Sequence, residues 1–205
     1  MPSSRSVLAR LAALAPAAAI LSPALVAPAF ADIFYDEGFA GDISNDRFNP
    51  TAFNLAAGDN QLVGVIFGDD GQGNIDRDYF SLTIPAGLQL SQIVHLDYIS
   101  TDFGAFMGIE EGPIFPIDPD QATPGDLLGW VIFGPSTVGV DLLPTMGGNG
   151  RGFTPPLSAG TYTFWVQQTG DYTDYIMNFV VTEVPAPASA ILLGPAAALA
   201  FRRRR

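Results

Sequence analysis

The sequence has no cysteine, no lysine and a single histidine, and its nine cationic side chains are all arginine. Without cysteine there can be no disulfide, no thiolate nucleophile and no cysteine-ligated zinc or iron–sulfur centre. Positive charge is scarcest in the middle of the chain. Between residues 32 and 183 only Arg47, Arg77 and Arg151 face all 21 acidic residues, a net charge near −18. Nucleic-acid affinity comes largely from cationic contacts to phosphate, so such a surface excludes nucleic acid as a partner. It favours solubility, cation binding or repulsion from anionic surfaces. The middle also lacks any sustained helical period.

What the middle does contain is aromatic and β-branched residues. It holds 21 of the 23 aromatic side chains. A stretch of about 150 residues can bury roughly 68–70% of its unfolded surface, so a real core is expected despite the charge. The two ends differ in kind, being rich in alanine, proline and leucine and carrying six of the nine arginines.

Residues 1–31 read as a secretory signal peptide. Arg5 and Arg10 precede an apolar run over residues 11–27, and Ala29-Phe30-Ala31 supplies the small-x-small cleavage pattern, with Ala29 and Ala31 as the small residues. Cleavage there makes Asp32 the new N-terminus, with signal peptidase as the processing partner.

Residues 184–205 form a second unit. Val184-Pro185-Ala186-Pro187 ends the preceding strand, because proline cannot donate to a ladder. An apolar run of 14 residues, 188–201, follows, and Arg202, Arg203, Arg204 and Arg205 close the chain. As a helix that run spans about 21 Å against a hydrocarbon core of about 30 Å, and the arginines hold its end on the cytoplasmic side. A weak, transient inner-membrane contact is the expectation.

Pro-x-Pro, a short apolar helix and a terminal arginine cluster, in that order, resemble the C-terminal sorting signal of PEP-CTERM proteins. Ala186 stands where the usual signal has Glu, as in related variants with a small or apolar residue there. The resemblance implies export from a Gram-negative-type cell and passage through the periplasm. It further implies processing by an exosortase-like protease, delivery to the cell surface or extracellular matrix, and association with exopolysaccharide and biofilm.

Residues 32–183 read as one all-β domain, a β-sandwich of jelly-roll type. Tyr162, Phe164 and Val166 alternate with Thr161, Thr163 and Trp165, and Tyr175, Met177, Phe179 and Val181 alternate with Ile176, Asn178, Val180 and Thr182. Phe80, Leu82 and Ile84 alternate likewise with Tyr79, Ser81 and Thr83. Continuous apolar runs at 62–67 and 127–133 suit central strands. Long loops are expected at 110–126 and 144–156. Two segments, Asp76-Arg77-Asp78-Tyr79-Phe80 leading to Ile84-Pro85-Ala86-Gly87, and Leu157-Ser158-Ala159-Gly160-Thr161-Tyr162, resemble the bacterial pre-peptidase C-terminal domain. That resemblance spans about residues 58–182 and implies an accessory module without enzyme activity.

Chemistry is thinly signalled. Asp70, Asn74, Asp76 and Asp78, with Gly71 and Gly73 between them, could offer calcium an oxygen-rich turn, although the spacing is not that of an EF-hand. The default reading is a solvated acidic turn, since turns favour these residues anyway. His95 and Asp97 share a strand face by alternation, which makes a hydrogen bond feasible. A triad would also need Ser91 or Ser100, and no nucleophile elbow exists, so an exposed polar histidine is the default. Trp130 and Trp165 would stack on sugars if exposed; strand tryptophans more often belong to a core.

Overall fold

The computed structural model describes residues 32–68, 75–170 and 172–185. The signal segment lies outside them. So do Ala186, Pro187 and the four terminal arginines of the sorting motif, of which only Val184 and Pro185 are described. Strands dominate, as the period-2 patterns require. In chain order they are β1 (Asp32–Asp36), β2 (Thr51–Asn54), β3 (Gly58–Ile66), β4 (Arg77–Ser100), β5 (Ala105–Glu111), β6 (Gly129–Phe133), β7 (Leu157–Gln167) and β8 (Thr173–Glu183). Among the described residues two short α-helices interrupt them, α1 (Glu37–Ala40) and α2 (Leu143–Gly148).

All eight strands join one hydrogen-bonded network, in the order β1-β3-β8-β4-β7-β5-β6 with β2 on β4. The sandwich-like shape comes from β4, which is 24 residues long and changes neighbours halfway. Its first half pairs antiparallel with β7, from Arg77↔Gln167 to Ile84↔Gly160, and parallel with β2. Its second half pairs antiparallel with β8, from Leu88↔Glu183 to Ser100↔Thr173. The register with β7 shifts between Ile84 and Gln89, where Pro85, Ala86 and Gly87 are exposed. Gly87 has φ +82°, a value that only glycine adopts readily, and this turns the strand from one layer into the other.

The core lies between the two layers. Phe80 on β4 stacks on its register partner Phe164 at 5.2 Å, and both rings meet Phe179 of the opposite layer at 6.1 and 5.7 Å. Burying each such ring contributes about 1.5–3 kcal/mol, and each ring pair about 0.5–1.5 kcal/mol more. A second cluster sits on the outer face of the β4–β7 layer. There Tyr79, Trp165, Phe115 and Leu127 are buried because the 112–126 loop folds over them. This is why the first half of β4 is buried on both faces.

The three arginines of the domain all hold that loop. Arg47 donates to the carbonyls of Phe115 and Pro116, Arg77 meets Asp120 at 2.5 Å, and Arg151 meets Glu110 at 2.7 Å while also donating to the Asp126 carbonyl. Glu110 is buried and further accepts from the Leu128 amide at 2.6 Å.

The apolar run 127–133 proves to be an edge strand, β6, and 62–67 contributes most of β3, one position in from the other edge. An edge can be this apolar because it is covered. α2 buries Leu143 and Met146 over it, Asn149 donates to the Trp130 carbonyl, and the amides of Arg151 and Gly152 cap Leu127 and Leu128.

The Arg151–Glu110 pair yields a prediction. Arg151→Ala leaves a buried carboxylate without its cation and should cost about 1–3 kcal/mol in urea unfolding. Adding Glu110→Gln should recover part of that loss. Equal stability of the wild type and Arg151→Ala would show that the pair holds nothing.

Candidate functional site

Alternation along β4 puts Asp78 on the same face as Phe80, Leu82 and Ile84, the face that looks into the core. Asp78 is fully buried. It is therefore not part of a solvated turn, and the two-residue step back from Phe80 was the signal for this. Asp76, just before the strand, accepts from the Phe67 amide at 3.2 Å. Asp70 and Asn74, the other two residues of the sequence-based calcium set, lie outside the described residues.

The partners of Asp78 come from elsewhere in the chain. One carboxylate oxygen accepts from the Tyr175 hydroxyl at 2.6 Å. That contact depends on Gly64, the register partner of Tyr175 on β3: a Cβ there would stand 2.2 Å from the Tyr175 ring. The other oxygen of Asp78 is buried and has no hydrogen-bond partner among the described residues.

Over Asp78 lies the segment that follows β1. Asp36 caps α1 by accepting from the Gly38 amide at 2.9 Å, and the chain turns back at Gly41 to bury Ile43. This turn aims Glu37 inward, where its carboxylate accepts from the amides of Ile43, at 2.5 Å, and Val65. It also brings up Asp42, which is exposed. One oxygen from each of Glu37, Asp42 and Asp78 lies within 4.8 Å of the other two.

Such crowding acts on the protons. Burial pushes Glu37 up from 4.5 to about 7, with Asp42 and Asp76 adding to the rise and its two amide donors opposing it. Burial, then the neighbouring Glu37 charge, raises Asp78 well above the usual carboxylate range. Burial raises Asp76 too, and raises Tyr175 well above 10. The cluster can hold protons or a cation, because like charges this close do not all ionise uncompensated.

The other sequence candidates separate. His95 is buried, not exposed. Its Nδ1 sits 2.9 Å from the Thr137 hydroxyl and its ring lies edge-on to Phe133 at 5.1 Å; burial lowers its pKa. Asp97 points to solvent on the opposite face, because the register slips between His95 and Asp97 and one extra residue reverses the alternation. Trp165 is only 6% exposed, between Tyr79, Phe106 and Phe115, so its ring offers no platform for a sugar. Trp130 is half-buried and stacks on Phe106. The pocket of about 230 Å³ beside Trp165, lined by Phe106, Ala122, Pro124, Leu127 and Gln167, contains no carboxylate. Glu37 and Asp42 were missed from sequence because 36 residues or more separate them from Asp78, with no local motif linking them.

The raised Glu37 pKa gives stability a pH dependence of definite sign. The folded protein keeps a proton on Glu37 that the unfolded chain releases near 4.5. That contribution is complete below about pH 4.5 and is lost as pH rises through about 7. In chelator, Tm should therefore fall from about pH 5 to about pH 8, and Glu37→Gln should flatten the fall. A Tm that rises across this window would contradict the protonated cluster.

This sequence matches no protein-family model and no curated protein.

Proposed function

We propose that the chain is an exported, non-enzymatic protein of the cell surface or extracellular matrix. In this reading signal peptidase removes residues 1–31, and the PEP-CTERM-like tail delivers the β domain to an exosortase-like protease. Exopolysaccharide is its intended surroundings. The observation that carries the reading is the order Pro185-x-Pro187, apolar run, Arg202 to Arg205, behind an N-terminal export signal.

The β domain is compatible with an accessory role. The two segments that resemble the pre-peptidase C-terminal domain are neighbours in the sheet: Ile84 pairs with Gly160 and Gln89 with Ser158, so both motifs flank the bend of β4. This pairing supports the jelly-roll-like reading. The non-enzymatic reading draws support from His95, whose ring is packed into the core against Thr137 and Phe133, while Asp97 is exposed.

Intact-mass measurement of the protein recovered from its native cells tests the proposal. The expected product starts at Asp32 and lacks Arg202, Arg203, Arg204 and Arg205. A product that keeps those arginines and stays in the inner membrane overturns the sorting reading.

A further inference from the structure

We propose that Glu37, Asp42 and Asp78 form a binding site for a hard divalent cation, with calcium the ion that fits it. Three carboxylates from two parts of the chain, the segment after β1 and the start of β4, converge within 4.8 Å. Acidic side chains often cluster without consequence, and here two further observations point to a ligand. Asp78 is fully buried, yet one of its oxygens has no hydrogen-bond partner among the described residues, and a buried polar atom left unmatched is destabilising, the more so if charged. The domain also has no cationic side chain to spare. It contains no lysine, and Arg47, Arg77 and Arg151 are all engaged with the 112–126 loop or its flanking strand. Compensation at the cluster must come from outside the domain's own side chains.

The donor set selects the type of ion. All three groups offer oxygen. The chain has no cysteine, and its one histidine is packed against Thr137 and Phe133, so the soft and borderline donors favoured by zinc and copper are missing. Glu37 is held by two backbone amides and Asp78 by Tyr175, which fixes two ligands in place. Asp42 is exposed and leaves the third side open to water. Calcium accepts six to eight oxygens in irregular geometry, waters included, whereas magnesium demands a near-ideal octahedron. Binding would tie β1 and α1 to β4, joining the N-terminal segment to the central strand. The site uses residues of the β domain only, so it stands or falls separately from the export reading.

Calorimetric titration of the full chain with calcium chloride, after chelator treatment, tests the site. One saturable calcium site is expected, with magnesium weaker. Asp42→Asn, an exposed substitution that leaves the core intact, should weaken calcium at least tenfold. Glu37→Gln should do the same, while Glu111→Gln at the end of β5 and Asp70→Asn in the acidic stretch 69–78 should not. Circular dichroism confirms that each variant is folded. Absence of saturable calcium binding, magnesium matching calcium, or affinity unchanged in Asp42→Asn overturns the proposal. Loss of binding in Asp70→Asn with Asp42→Asn unaffected would move the ion to the acidic stretch 69–78 and overturn it equally.

Discussion

The backbone ladder of β4 is the constraint on which the other elements depend. A strand usually belongs to one sheet, but β4 is long enough to serve both layers, pairing first with β7 and β2 and then with β8. Because the same backbone runs through both layers, their relative placement is set covalently at the bend near Gly87. Side-chain packing then has only to close the angle, which the Phe80, Phe164 and Phe179 rings do. It also puts Asp78, at the start of the first half, opposite Tyr175, on the strand that pairs with the second half. The Asp78–Tyr175 contact is thus a product of the bend.

Charge is the second organising fact. With three arginines against 21 carboxylates, the domain must choose where its cations go, and all three go to the loop that covers Tyr79 and Trp165. The loop is long, rich in proline and has little secondary structure of its own, so side-chain anchors hold it where a ladder cannot. The rest of the acidic surface is left to water, to protons or to dissolved cations. The Glu37 cluster is where this shortage is most acute, because burial of Asp78 takes one of its carboxylates out of water.

Much of the fold was legible in the sequence, residue by residue. Alternation at Phe80, Leu82 and Ile84, and at Tyr175, Met177, Phe179 and Val181, identified core faces that the structure buries, since the pleat allows no other arrangement for side chains two apart. The same rule extended one step back would have buried Asp78. Alternation misled at His95 and Asp97, where a bulge adds a residue and swaps the faces. The continuous apolar run misled at 127–133, because an edge strand covered by α2 reads the same as a central one. A bulge and a covering helix are decided by packing, and neither leaves a periodic mark on the strand.

The sequence by itself determined the β character of the middle, the absence of thiol chemistry, the extreme acidity and the distinct chemistry of the two ends. Each of these follows from residue type or from spacing within a few positions. Tertiary structure alone decided which carboxylates meet. Glu37 and Asp42 reach Asp78 only because β1 and β3 lie parallel and α1 folds back across them, and Tyr175 reaches it only because Gly64 leaves room for its ring. These contacts join residues tens to about a hundred positions apart, and such distances are bridged by chain topology, on which local periodicity carries no information.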